Sequence, residues 1–429
     1  MPSRTLLLRV PPGAGRARRR TSRLMAGVAA AVAVAGVAGV AGAPAGLAAA
    51  VPAAVAVPAA ARAAQPAPAR AAAPVPAAAR AAAPAYRLVD LGVIGAGPAG
   101  QQGSSAGDVN ATGRIVGSST YPGGVGAHAF VRRGGSLRDL GDGLDGFAES
   151  SAAAVSDAGT VVGSAHVVSR REHPHAVLWR EGKPVDLGTG YGAGTGSGSW
   201  AADVNRSGLV VGGHYRTVAQ PRRAALWSGG RIRDLGTLGG SSTSRYDTES
   251  EATAVNDRGQ VVGAALPAGG HPLHGFLWQD GRMQDLGTLG GNGNATVATG
   301  INEHGAVVGF SETAAGALHA FRWRDGRMRD LGRLGPDFAY SRTTASDIND
   351  AGVVVGRATV RGGVYGTGVG FLWRDGVMTD LNTLVQLPLG RRIDDVAAIS
   401  NAGVVVGTMC EIATCEAGGT RRAVALVPR

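Results

Sequence analysis

One nine-residue phrase recurs along this chain. It reads INDAGVVVG at 348–356, VNDRGQVVG at 255–263 and INEHGAVVG at 301–309. The glycine of its turn stands at Gly113, Gly159, Gly208, Gly259, Gly305, Gly352 and Gly403, at spacings of 46, 49, 51, 46, 47 and 51 residues. Asp-Leu-Gly keeps the same period from Asp90, Asp139, Asp186, Asp234, Asp285 and Asp330, and a seventh copy at Asp380 reads Asp-Leu-Asn. A third phrase, like HAFLW, begins at His128, His175, Arg223, His274, His319 and Val369, and its last version is AVALV at 423–427. Self-similarity at this period restricts a chain to a solenoid, a propeller or another array of small units.

Each unit reads as four short strands. The first is small and apolar and ends in Ile/Val-Asn. The second is Val-Val-Gly, the third HAFLW, and the fourth ends in Asp-Leu-Gly. Asn-x-x-Gly between the first two suits a tight hairpin, with Asn opening the turn and Gly taking positive φ. WRDGRM at 323–328 repeats that chemistry between the third and fourth strands. Seven such units predict an all-β, seven-bladed β-propeller of four-stranded blades over residues 86–429. The chain ends agree. YRLVDLG at 86–92 is a fourth strand without its first three, and the last unit is three strands without a fourth. Pairing the N-terminal strand with the C-terminal blade closes the ring and removes two exposed edges.

The phrases HGFLWQDGRMQDLGTLGG at 274–291 and INDAGVVVG at 348–356 resemble the HAF-repeat family of extracellular bacterial proteins, and the match runs over about residues 86–429. The resemblance implies an extracellular location and a propeller-like fold. It supplies no catalytic residues, and fold analogy does not transfer function.

Charge must be read by region. The ten arginines among residues 1–85, which hold no acidic residue, taken from the 42 basic residues of the chain leave 32 against 31 acidic ones. The formal charge of +11 therefore belongs to the leader, and the body offers no basic footprint for nucleic acid. Residues 1–48 read as an export signal: Arg16, Arg18, Arg19, Arg20 and Arg23 precede a mild Ala/Val/Gly run, and small-residue cleavage sites follow. Residues 49–85 are rich in Ala and Pro and read as a disordered spacer. After cleavage no membrane span is expected, and the protein is read as a secreted or cell-surface monomer.

Antiparallel order puts both short turns of every blade at one end of the ring and both long connections at the other. The long connections vary, and variable loops on a rigid scaffold are the usual place for recognition. Tyr121, Tyr191, Trp200, Tyr215, Tyr246, Tyr340 and Tyr365 are assigned to these loops as ligand-binding candidates, since loop aromatics suit stacking on glycans or protein contacts. Five other tryptophans, at 179, 227, 278, 323 and 373, sit in the repeat and are read as packing. The acidic segment 245–252 is read as a solvated rim.

Catalytic signals are sparse. No P-loop, nucleophile elbow or zinc-protease motif is present. Histidines copied in each blade read as structural, and His271 with His274 is a weak metal spacing without a third ligand. Asp108, Asp203 and Asp347 stand at one repeat position before Ile/Val-Asn. If that strand is innermost, the three carboxylates approach the channel mouth, where they could serve glycoside chemistry or hold calcium. The bland alternative is a solvated or turn-bonded Asp near a strand end. Cys410 and Cys415 are expected to form a disulfide in an exported protein. The sequence thus favours a binding or interaction module for an extracellular glycan or protein, with no cofactor. A carbohydrate-active hydrolase or lyase, or a structural surface protein, is the alternative.

Overall fold

The structure is a computed structural model. It describes residues 86–429 apart from 96–102, 121–125, 142–143, 145–148, 167–173, 192–195, 218–219, 243–247, 292–294, 336–339, 361–367 and 416–419. The predicted export signal and spacer, and Tyr121, Tyr246 and Tyr365, lie outside the described residues.

Seven four-stranded antiparallel sheets follow one another along the chain. Blade 1 spans 104–139, blade 2 149–186, blade 3 198–234, blade 4 250–285, blade 5 297–330 and blade 6 340–380. Blade 7 takes three strands from the C-terminus, Arg391–Ile399, Val405–Glu411 and Arg421–Pro428, and its outer strand from the N-terminus, Tyr86–Gly92. The outer strand pairs from Tyr86 opposite Pro428 to Gly92 opposite Ala423, which joins the chain ends as the sequence predicts. Each seam between consecutive blades holds its own apolar cluster. Val162 and Leu178 of blade 2, for example, pack with Val204, Val210 and Trp227 of blade 3. The five repeat tryptophans are all buried in such clusters.

The recurring phrase has physical reasons residue by residue. The inner strand of every blade carries a bulge; in blade 5 the register shifts between Ala298 and Gly300, leaving Thr299 unpaired. The Gly of Val-Val-Gly on the second strand faces that irregularity closely. A Cβ on Gly309 would overlap the carbonyl oxygen of Val297, and one on Gly263 that of Glu251. Asn does two jobs. Asn302 Oδ1 accepts the backbone N–H of His304 at 3.0 Å and of Ala306 at 2.9 Å, which shapes its own turn. Its Nδ2 donates to the carbonyl of Asn349 in the next blade at 3.1 Å. The same reach links Asn110 to Ser156, Asn205 to Asn256, Asn256 to Asn302, and Asn349 to Ser400. A serine fills this position at Ser156 and Ser400, so blades 2 and 7 lack the amide that would reach onward.

The Asp-Leu-Gly aspartate also bonds twice. Asp285 Oδ1 accepts Gly287 N–H at 2.8 Å, while Oδ2 lies 2.7 Å from His274 Nδ1 on the neighbouring strand. The pairing recurs between His128 and Asp139, His175 and Asp186, and His319 and Asp330, and Arg223 replaces the histidine against Asp234. These copied histidines are therefore strand-to-strand ties.

Candidate functional site

The inner strands enclose a cavity of about 320 Å³ in the half of the channel nearer the long connections. Blade 3 brings Trp200, blade 4 Glu251 and the bulge residue Thr253, blade 5 Thr299, blade 6 Ser346 and Arg357, and blade 7 Asp395. Trp200 lies on the inner strand Gly198–Val204 and Tyr215 ends the second strand, Val210–Tyr215. Neither is in a loop, as the sequence suggested; both strands extend further toward the long connections than the repeat phrase marks. Tyr340 likewise opens the inner strand Tyr340–Ile348. Tyr191 does stay in a long connection, where it stacks on His214 with ring centroids 5.4 Å apart.

The aromatic wall is fixed by its neighbours. The Trp200 indole lies against Gly213, where a Cβ would overlap the ring, so only glycine leaves it room. Trp200 Nε1 donates to Glu251 Oε1 at 3.1 Å, and the Arg222 guanidinium stands 5.5 Å from the ring centroid. Glu251 is 8% exposed. Burial pushes its carboxyl up to about 7, against the opposing pull of Arg222 and the indole N–H. Asp395 is also raised by burial despite the nearby Arg357. Arg357 Nε is buried and has no hydrogen-bond acceptor. The cavity thus combines one indole, two carboxyls held toward their neutral forms, one guanidinium with an unused donor, and several hydroxyls. Such a surface can hold a hydroxyl-rich ligand by stacking and by donors and acceptors together.

Of the segment 245–252, expected from sequence to be a solvated rim, the described residues 249–252 are buried. Glu249 and Glu251 are 7% and 8% exposed, and Ser250–Val255 is the inner strand of blade 4. Glu249 forms an ion pair with Arg223 at 2.5 Å. The serine between them, Ser250, accepts Ala224 N–H and donates to the Gly236 carbonyl, tying blade 4 to blade 3.

Asp108, Asp203 and Asp347 do stand on inner strands, yet each carboxyl is already engaged. Asp203 Oδ1 accepts Val204 N–H at 2.7 Å and Oδ2 accepts Val255 N–H of the next blade at 2.8 Å. Asp108 spans Val109 and Val155 in the same way, and Asp347 spans Ile348 and Ile399. Burial, helped by the mutual repulsion of these carboxylates, raises Asp108 and Asp203 to about 7. Blades 4 and 5, which lack the aspartate, bridge their seams with Thr253 and Thr299 hydroxyls donated to Ala298 and Ala345 carbonyls. Each of the three thus bonds its own neighbour and the backbone of the next blade, which is neither the open channel-mouth carboxylate nor the solvated or turn-bonded aspartate that the sequence offered.

Cys410 and Cys415 form the expected disulfide, with Cα atoms 5.5 Å apart. Cys410 lies on the second strand of blade 7, Val405–Glu411, and Cys415 ends a short helix, Ile412–Cys415, so the pair is not wholly in a loop. Asp394 is the remaining member of the cluster with metal-holding spacing found among the described residues, and both sulfurs there are used by the disulfide. Among the described residues no helix is long and apolar enough to cross a membrane.

No protein-family model matches the chain, and no curated protein does. Solved structures of similar shape include the β-propeller domain of the Trilobed protease from Pyrococcus furiosus, at 11% identity and a TM-score of 0.46, covering 77% of this chain and 94% of that one. A puromycin-hydrolyzing peptidase of Mycobacterium tuberculosis is similar at 13% identity and a TM-score of 0.46, covering 78% and 56%. Aleuria aurantia lectin is similar at 11% identity and a TM-score of 0.36, covering 65% and 94%. At these identities nothing about ligand or activity carries over.

Proposed function

We propose that the protein is an exported binding module that takes the end of an extracellular glycan into the long-connection half of its channel. The observation that carries this reading is the Trp200–Glu251 pair set in the cavity wall among hydroxyls and the open donor of Arg357. The buried disulfide and the leader-like N-terminus support export. The repeat resemblance to the HAF-repeat family points the same way.

The test is a screen of the full chain against cell-wall fractions and defined oligosaccharides, read both as binding and as release of soluble sugar. Binding without turnover, weakened at least tenfold by Trp200→Ala at unchanged melting temperature, is the expected result. A panel that shows no binding to any glycan would count against this reading. A hydrolase is the second reading, because Glu251 and Asp395 are two carboxyls raised by burial around one cavity. Released sugar that disappears in Glu251→Gln would select it.

A further inference from the structure

A second cavity, of about 520 Å³, opens on the other side of the ring, at the seam between blades 1 and 2 near the short turns. Four arginines line it. Arg114 follows the first hairpin of blade 1, Arg133 and Arg138 flank its second hairpin, and Arg180 opens the corresponding turn of blade 2. Glu181 is the one acidic residue of the lining. Arg114 is oriented by a hydrogen bond from Nη1 to the Gly159 carbonyl at 2.8 Å. Among the described residues none of the four arginines forms an ion pair. Trp179 forms the floor: it is 2% exposed, and its indole N–H is buried without an acceptor.

Departures from the repeat create this groove. Blade 1 has Val131 where blades 2, 3, 4 and 6 have Leu178, Leu226, Leu277 and Leu372, and the shorter side chain leaves space beside Trp179. The position after the turn glycine is Arg114 in blade 1 and Thr, Leu, Gln, Ala, Val and Val in blades 2 to 7. At the next seam Trp227 has the same unpartnered N–H, but the corresponding positions are Thr160, Arg180, Val185 and Ser228. The seam between blades 5 and 6 carries Arg324, Arg329 and Arg374, and there Arg324 already faces Asp325 at 3.4 Å. The seam between blades 1 and 2 thus gathers four cations where the neighbouring seam has one.

We infer that this groove binds an acidic polysaccharide, through carboxylate or sulfate groups spaced along the chain. Guanidinium groups match such oxyanions in pairs of parallel hydrogen bonds. The Trp179 N–H adds a donor for a deeper oxygen. The aromatic ring itself is buried, so it offers no face for a nucleobase to stack on, which favours a sugar polyanion over single-stranded nucleic acid. The groove is separate from the channel cavity and stands without it.

The test titrates the full chain with a sulfated oligosaccharide, an oligogalacturonate, neutral dextran and a single-stranded oligonucleotide. The variants Arg114→Thr, Arg133→Ser and Arg138→Val install residues that blades 2 and 3 carry at the same positions, so the fold accepts them. Expected is binding of one or both acidic oligosaccharides, none of dextran, and about two- to fivefold weakening per variant, more at low salt than at high. The triple variant should lose more than tenfold, while Gly269→Ala, which has open space around it, changes nothing. Failure to bind either acidic oligosaccharide, or affinity indifferent to all three variants, overturns the inference. Equal or tighter binding of the oligonucleotide through the same arginines overturns the choice of polysaccharide.

Discussion

The short-turn end of the ring and the long-connection half of its channel obey different rules. At the short turns Asn110, Asn205, Asn256, Asn302 and Asn349 make the same two kinds of bond, one to their own turn and one to the next blade. In the channel half, by contrast, no two blades contribute the same set: Trp200, Glu251, Arg357 and Asp395 each occur once in that cavity. At the short turns the bond across the seam is made by one residue type in five of the seven blades. In the channel half the seams are bridged by different groups from blade to blade, an indole to a carboxylate at one and a threonine hydroxyl to a carbonyl at another. The arginine groove between blades 1 and 2 is likewise made of departures from the phrase.

The comparison breaks if copied positions prove dispensable, and the largest test is the closing strand. Deleting Tyr86–Gly92 strips the outer strand from blade 7, exposes the edge of Arg421–Pro428, and unpacks Tyr86, which is 2% exposed. The truncated chain should melt at least 10 °C lower, at roughly 2–4 °C per kcal/mol for a domain of this size, or fail to fold; melting at the parental temperature would refute ring closure. Next comes Gly309→Ala, whose Cβ overlaps the Val297 carbonyl. It should cost about 3 kcal/mol by forcing the strands apart, read by chemical denaturation, whereas Gly269→Ala, with open space around it, should cost little. Asn302→Ala removes an acceptor from two backbone N–H groups and a donor to the next blade. A loss of about 2 kcal/mol is expected. The converse change, Ser400→Asn, supplies the missing amide at the seam between blades 7 and 1 and should raise the melting temperature slightly.

The smallest effect is on pH. Burial raises Asp108 and Asp203 to about 7, whereas an unfolded aspartate titrates near 4. Between those values the folded protein binds more protons than the unfolded one. Their contribution to stability is therefore complete below about pH 4 and is lost as pH rises through about 7. The melting temperature should fall from pH 5 to pH 8, and Asp203→Asn should flatten that slope while lowering the whole curve, because one of its two N–H acceptors is gone. A steeper slope in the variant would contradict the assignment.

Much of this was legible in the sequence because the repeat encodes bonding. The split blade and the four-strand unit follow from phrases and spacings that backbone pairing then obeys, and the Cys410–Cys415 bond from there being two cysteines close in sequence. The site was less legible. Trp200 and Tyr215 fall outside the repeat phrase but inside strands, since an edge toward variable loops can lengthen without a sequence mark. Glu251 looked solvent-bound because it sits in an acidic run, and only the alternation of an inner strand turns its side chain toward Trp200. Asp108, Asp203 and Asp347 admitted a chemical reading beside the bland one because they depart from the repeat. Their partners are backbone N–H groups of the next blade, about 50 residues away in sequence, which composition cannot reveal.

The most direct test pairs one copied residue with one that departs. Glycan binding and melting temperature are measured together for the parent, Asn302→Ala and Trp200→Ala. Asn302→Ala should lower the melting temperature and keep affinity, while Trp200→Ala should keep the melting temperature and lose affinity. If Trp200→Ala unfolds the ring while Asn302→Ala leaves it intact, the division between seam and site is wrong.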